Sequence, residues 1–208
     1  LRILVTAGPT REYFDTVRFV SNPSTGKMGY ALAAAAKKRG HHVVLVSGPV
    51  AIQPPRGIET VQVTTAAEMA VAAKRAFRQA DAAVLTAAVC DYRPHRQLRH
   101  KLKKQPRTRP ILLEPTEDIA ASLGRRKAKR LIIGFAMEDR DHRANAEKKL
   151  VKKHCDAIVL NGPENVGADR AVIQILTADG RWHPETKGTK TQLADKIIKL
   201  LEQIKSNK

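Results

Sequence analysis

Short apolar runs alternate along this chain with amphipathic segments of helical period, and that alternation narrows the fold more than any other feature. Ile3-Leu4-Val5-Thr6, His42-Val43-Val44-Leu45-Val46, Ala82-Ala83-Val84-Leu85-Thr86, residues 130–135 and residues 157–161 each read as a buried strand. Residues 57–63 alternate like a further strand, and Ile111-Leu112-Leu113 reads as a short one. Between them, Met28, Ala31, Leu32 and Ala35 recur at helical spacing and run into Lys37-Lys38-Arg39-Gly40. There the cations meet the negative end of the helix and a glycine stops it. Thr65 and Glu68 form a capping box for a helix over residues 66–79. Thr116 is placed to cap a helix over residues 117–127, and residues 144–154 form another. Residues 190–205 close the chain with Leu193, Ile197, Leu200, Leu201 and Ile204 on one face. Residues 171–183, turning at Gly180, read as a β-hairpin.

Strands that are apolar throughout are covered on both faces. The expected architecture is therefore α/β: a Rossmann-like open parallel sheet with helices on both faces and a β-hairpin extension. Residues 1–208 are read as one domain, with a polar, basic, proline-punctuated lid loop over residues 93–110. In such sheets ligands bind beyond the carboxyl ends of the strands. Those ends hold Gly8-Pro9-Thr10, Ala87-Ala88-Val89, Phe135 and Asn161.

The chain carries 38 Lys+Arg against 20 Asp+Glu, a formal charge of +18. That surplus suits nucleic acid or a small anionic ligand. Aromatic residues at 4% are too few to build a stacking platform for single strands. No apolar run reaches the roughly 18 residues of a membrane span. Cys90 and Cys155 give neither a disulfide framework nor metal-ligand spacing, which suits a reducing cytoplasm, and both read as small buried hydrophobes. The histidines show no zinc spacing.

Ser21-Asn22-Pro23-Ser24-Thr25-Gly26-Lys27-Met28-Gly29 crowds hydroxyls, an amide and glycines at a helix start, where unpaired N–H groups and the dipole favour an anion. Its glycine spacing matches neither a Walker A loop nor GxGxxG. The bland alternative is an ordinary cap by Ser24 or Thr25. Lys101-Leu102-Lys103-Lys104 is either a solvated charge run or a cationic flap that closes over polyphosphate. Lys149 and Lys153 share a helix face, where like charges repel unless an anion joins them, although Lys148 and Lys152 beside them fit a general basic surface. Asp91 can hold a metal, accept from a base or ribose, or cap a turn. Phe135 can stack on a base or sit in the core.

These segments together resemble the phosphopantothenoylcysteine synthetase domain of the bacterial coenzyme A pathway, over nearly the whole chain. The resemblance rests on Thr6-Ala7-Gly8-Pro9-Thr10-Arg11-Glu12, Asp15-Thr16-Val17-Arg18-Phe19-Val20-Ser21-Asn22 and Ser24-Thr25-Gly26-Lys27-Met28-Gly29. It continues through Ala87-Ala88-Val89-Cys90-Asp91-Tyr92-Arg93-Pro94, the Lys101 motif, Gly134-Phe135-Ala136-Met137-Glu138, Lys149-Leu150 with Lys153, and Asn161. It implies ligation of 4′-phosphopantothenate to cysteine through an acyl-nucleotidyl intermediate, with release of pyrophosphate. The co-substrate would be CTP, as the Lys-Met-Gly and Lys-x-Lys-Lys motifs look like the CTP-using type, with ATP as the alternative. Mg²⁺ would accompany it, at Asp91. The resemblance makes Asn22 and Lys101 the catalytic residues. Ala87, Ala88, Asp91, Lys101, Thr116, Glu117, Asp118, Ile119, Phe135, Lys149 and Lys153 would bind the nucleotide. Gly8, Ser24, Thr25, Gly26, Lys27 and Met28 would hold the substrate or its phosphate. Glu117 stands where the family more often has proline, and Cys90 where alanine is usual. The family forms dimers through an exchanged hairpin, a role open to residues 171–183. Its usual decarboxylase partner domain has no counterpart here, so a monofunctional enzyme or an excised domain is expected.

Two other classes compete. A nicotinamide or flavin oxidoreductase shares the sheet but needs the missing GxGxxG turn and a ribose-binding acid. A basic nucleic-acid-binding module fits the charge but lacks aromatics and any recognised motif.

Overall fold

The structure is a computed structural model and describes residues 1–207. The strands are β1 (Arg2–Ala7), β2 (Arg11–Tyr13), β3 (Phe19–Ser21), β4 (His42–Ser47), β5 (Glu59–Gln62), β6 (Ala82–Leu85), β7 (Tyr92–Pro94), β8 (Leu113–Pro115), β9 (Leu131–Met137), β10 (Ala157–Asn161), β11 (Arg170–Thr177) and β12 (Thr186–Thr189). The helices are α1 (Lys27–Lys38), α2 (Ala66–Phe77), α3 (Ile119–Gly124), α4 (His142–Lys152) and α5 (Lys190–Ser206). Eight strands form one sheet in the order β12-β11-β10-β9-β6-β1-β4-β5. The six from β10 to β5 are parallel, and β11 and β12 add antiparallel at one edge. The expected α/β architecture is the observed one.

Alternate side chains of each central strand enter opposite cores, as the pleat requires. Ile3 and Val5 pack with Leu32 of α1 and Ile197 of α5. Leu4, between them in sequence, packs with Met69 of α2, Leu123 of α3 and Leu150 of α4. Both faces are thus covered, which is why the strands read as unbroken apolar runs. The helix over α2 starts at the expected capping box: the Glu68 N–H donates to Thr65 Oγ1, and Glu68 Oε2 accepts from the Thr65 N–H.

Three expectations shift. The helix after Thr116 starts later, at Ile119, because the Asp118 carboxylate caps it by accepting from the Ala121 N–H. Thr116 instead donates its hydroxyl to the Cys90 carbonyl at 2.5 Å. The short strand read at residues 111–113 lies at Leu113–Pro115, where it pairs with Tyr92–Pro94 in a separate ribbon. The hairpin of residues 171–183 does turn at Gly180, but β11 lies inside the main sheet, paired with both β10 and β12.

From β1 the chain winds outward through β4 to β5, then returns across β1 to start β6. The order therefore reverses between β1 and β6, the place where such sheets open a crevice. The segments leaving these two strands stay paired: the Ala88 N–H donates to the Gly8 carbonyl at 2.9 Å, and the Thr10 N–H to the Ala88 carbonyl at 3.4 Å.

Candidate active site

A cleft of about 510 Å³ opens at that switch point. Its size suits a small-molecule ligand. Its lining includes residues 22–28 at the start of α1, residues 85–89 and Asp91 at and after the end of β6, residues 116–120 at the start of α3, Phe135 and Met137 of β9, and Lys149 and Lys153 on and just after α4. Every expected site residue is in this lining except two, Gly8 and Lys101.

The start of α1 has no side-chain cap. The residue before the helix is Gly26, at φ 74°. Neither Ser24 nor Thr25 serves as the cap; Ser24 Oγ accepts from the Gly26 N–H at 3.3 Å. The open N–H groups of this turn carry the positive end of the helix dipole. A close approach behind them fixes the helix on β1: a Cβ on Gly29 would stand 2.4 Å from the Ala7 Cβ. Gly8 belongs to this foundation, since its Cα lies 3.6 Å from the Cβ position of Gly26.

Asn22 is oriented by its backbone neighbours. Its amide nitrogen donates to the carbonyls of Ala88 at 3.2 Å and Val89 at 3.1 Å. The side-chain oxygen is then left as the acceptor. Asp91 is an exposed carboxylate in the same lining, and its carbonyl accepts from the Thr116 N–H. Among the described residues no group of three or more His, Cys, Asp or Glu is arranged to hold a metal. A single carboxylate nevertheless fits Mg²⁺ brought in on a polyphosphate, because that ion keeps water and phosphate oxygens as its other ligands.

The α4 lysines are not the bare repelling pair suggested by spacing. Lys149 Nζ lies 2.5 Å from Glu138 Oε1, and Lys153 Nζ lies 3.2 Å from Asp118 Oδ2. Burial raises the Asp118 carboxyl, but the Ala121 N–H and Lys153 outweigh it and leave it below the usual range. Lys27 is likewise paired, with Asp169 at 2.6 Å. Glu117 turns toward α2, where Lys74 at 2.6 Å holds its carboxyl below the usual range. Phe135 is half-buried: it packs against the core on the α1 side and also lines the cleft.

Lys101 stands apart from the lining because its loop is moored elsewhere. Its neighbour Leu102 donates its N–H to Asp15 Oδ2 at 3.0 Å, and its carbonyl accepts from Arg18 at 2.8 Å. Asp15 is fully buried and also accepts the Val17 and Arg18 N–H groups at 2.7 Å. Burial raises this carboxyl, yet these N–H bonds and Arg18 bring it below its usual value. Burial pushes the Cys155 thiol up to about 12 and raises Cys90 as well, away from the reactive thiolate.

Lys190, Asn165, Gly167 and Met137 also line the cleft, and sequence reasoning had not named them as site residues. Lys190 opens a helix after a Thr cap, where a lysine reads as an ordinary surface cation. Only the fold brings it beside α1.

A mostly parallel, doubly wound α/β sheet with a crevice at its switch point defines the class as a Rossmann-like α/β domain. Residues 1–204 match the family described as DNA/pantothenate metabolism flavoprotein C-terminal domain, and the chain belongs to that family. It is 43% identical over 183 residues to the coenzyme A biosynthesis bifunctional protein CoaBC of Bacillus subtilis (strain 168), a match spanning 86% of this chain and 45% of that protein. The chain thus spans about half the length of the curated relatives it matches. The crystal structure of the C-terminal domain of a coenzyme A biosynthesis bifunctional protein CoaBC superposes with a TM-score of 0.86 at 40% identity, covering 100% of this chain and 96% of that one. A Cab2 mutant in complex with phosphopantothenate-cysteine shares the fold, with a TM-score of 0.78 at 16% identity, covering 99% of this chain and 86% of that one. The family inferred from the ordered motifs is the one these matches identify.

Proposed function

We propose that this chain is a phosphopantothenate–cysteine ligase, joining 4′-phosphopantothenate to cysteine in coenzyme A biosynthesis with CTP, or alternatively ATP, as co-substrate. The observation that carries this reading is the cleft itself, which gathers residues from five distant segments that the resemblance assigns to one site. The CoaBC relatives support the pathway.

The chemistry brings a carboxylate and a phosphate monoester beside a triphosphate, so positive charge has to be supplied. The substrate carboxylate attacks the nucleotide α-phosphorus and pyrophosphate leaves. The cysteine amine then attacks the acyl carbon and expels the nucleoside monophosphate. No protein nucleophile is required, in keeping with the inert thiols. The α1 N–H groups and Lys27 hold phosphoryl oxygens. Phe135 and the residue 116–119 turn shape the nucleotide pocket, with Lys149 and Lys153 exchanging a carboxylate contact for a phosphate one. Asn22 presents an acceptor oxygen, which suits an amine, amide or hydroxyl of the acyl intermediate and not a phosphate oxygen. Mg²⁺ at Asp91 supplies charge neutralisation on the phosphates when bound. Release of the Asp15–Leu102 mooring brings Lys101 over the triphosphate. The working form is a cytoplasmic homodimer, and a decarboxylase domain is the expected fused or separate partner.

The test is a pyrophosphate assay with phosphopantothenate, cysteine, Mg²⁺ and either CTP or ATP. Release that requires both acid substrate and nucleotide is the expected result. No release with either nucleotide overturns the reading.

A further inference from the structure

Four lysines line the cleft, and they are not equivalent. Lys27, Lys149 and Lys153 each have a carboxylate within ion-pair distance: Asp169, Glu138 and Asp118 respectively. Lys190 has none among the described residues, although it is the most deeply buried of the four at 8% exposed. Its ammonium makes one hydrogen bond, to the Asn165 carbonyl at 3.4 Å, longer than a good N–H···O bond. An ammonium has three donors to satisfy. That carbonyl cannot swing closer, because the Asn165 side chain is clamped to β11, donating to the Val172 carbonyl at 3.0 Å and accepting its N–H at 3.1 Å. Lys190 itself is fixed at the first position of α5, behind a capping box at Thr189, with its N–H on the Asp169 carbonyl at 3.0 Å.

A buried cation without a counter-charge is costly, and here a second cation makes it more so. Burial first, and then Lys27, lower the Lys190 ammonium below its usual value, while Asp169 opposes them. Asp169 is a weak remedy: its side chain is 85% exposed and it is already bonded to Lys27. The Lys27 ammonium also reaches the Gly167 carbonyl at 3.2 Å, which ties the loop before β11 to the start of α1. Two ammonium groups near enough to act on each other and an uncapped helix N-terminus thus line the same cleft.

We infer that Lys190 is an anion-binding residue whose missing counter-charge is a phosphoryl group of the substrates, held jointly with Lys27 and the first turn of α1. This deepens the ligase reading and rests on it for the identity of the phosphate, either the nucleotide's polyphosphate or the phosphate monoester of phosphopantothenate. The subsite itself is testable without turnover. Inorganic pyrophosphate and inorganic phosphate serve as probes of thermal unfolding. Wild type should gain melting temperature with at least one of them. Lys190→Met, which removes the buried charge and keeps the length, should melt at or above wild type without anion and lose most of the anion-dependent gain. Lys190→Gln, which can still donate to the Asn165 carbonyl, should lose that gain as well, because the charge and not the hydrogen bond is what binds.

Retention of the wild-type gain by Lys190→Gln, or by Lys190→Met, overturns the assignment whatever the ligase assay gives. A wild type that neither anion stabilises overturns it too. In the pyrophosphate assay, either variant should raise one KM by about 10- to 100-fold, the effect of losing a hydrogen bond to a charged group. A rise for CTP or ATP assigns Lys190 to the polyphosphate, and a rise for phosphopantothenate assigns it to the monoester. An unchanged KM for both, in an active enzyme, removes Lys190 from the site. An inactive wild type whose anion response still depends on Lys190 defeats the ligase reading alone.

Discussion

At the scale of single residues, Asn22 is held by what it donates to. Replacing it with Asp turns two favourable contacts into repulsion, since a carboxylate oxygen would stand about 3 Å from the Ala88 and Val89 carbonyls. Asn22→Asp should therefore lower ligation by on the order of 100-fold, the scale of losing one positioned polar group, with little change in nucleotide KM. Wild-type turnover of the variant would remove Asn22 from the site. Gly29 makes the opposite case, where packing beats propensity. Alanine would gain about 1 kcal/mol of helix preference, but its methyl would meet the Ala7 Cβ at 2.4 Å and the Ala7 Cα at 3.1 Å. Overpacking of that kind costs about 1–3 kcal/mol. Gly29→Ala should thus lower the melting temperature by several degrees, and an unchanged value would show that α1 can ride outward. Asn22 and the glycines were legible because their types are unusual at a strand end or helix start. Lys190 was not, since a lysine after a Thr cap looks solvated until the fold buries it against α1.

At the scale of elements, the apolar parallel strands were legible for the reason that makes them stable: both faces are covered, so no polar alternation interrupts them. The capping box at Thr65 was legible because it is a local device, complete within four residues. The start of α3 was not, because Thr116 and Asp118 are both good caps by type, and a long-range bond from Thr116 to the Cys90 carbonyl decides between them. The three-residue strands of the β2–β3 and β7–β8 ribbons carry too little periodicity to announce themselves. The lid is the element whose behaviour the structure makes testable. Its mooring is the buried Asp15 carboxylate, whose folded-state value lies below the ordinary 3.8. Its contribution is therefore complete above that value and is lost as pH falls through the lower folded one. Asp15→Ala should release the loop at neutral pH, with faster proteolysis at residues 98–110 and a KM for nucleotide no higher than that of wild type, because closure over the triphosphate itself requires that release. Unchanged cleavage at those residues would mean that the loop is held by other contacts.

At the scale of the whole molecule, the surplus of +18 divides into two unequal parts. Three of the four cleft lysines are balanced by carboxylates, so the chemistry absorbs little of the excess. Exposed cations such as Arg125 and Arg126 lie outside the cleft, and neither forms an ion pair among the described residues, although Arg125 acts at longer range on Glu117. The exposed apolar surface is more informative about assembly. Exchange of the 171–183 hairpin between copies would take β11 from its place between β10 and β12, and the same segment of the second copy would re-form both ladders. By contrast, Val17 (55% exposed), Tyr92 (56%) and Leu112 (72%) sit on and beside the β2–β3 and β7–β8 ribbons, with Phe19, Val20, Ile111 and Leu113 also exposed. Apolar side chains gathered at short ribbons mark a face that gains from being covered. A second copy meeting there would bury this surface and leave the main sheet as it is. Sedimentation equilibrium should accordingly give a dimeric mass for wild type and a monomeric mass for the double variant Tyr92→Asp/Leu112→Asp. Shortening the turn at residues 179–181 should leave the dimer intact. A monomeric wild type removes the dimer, and a dimer that survives both aspartates moves the interface away from the ribbons.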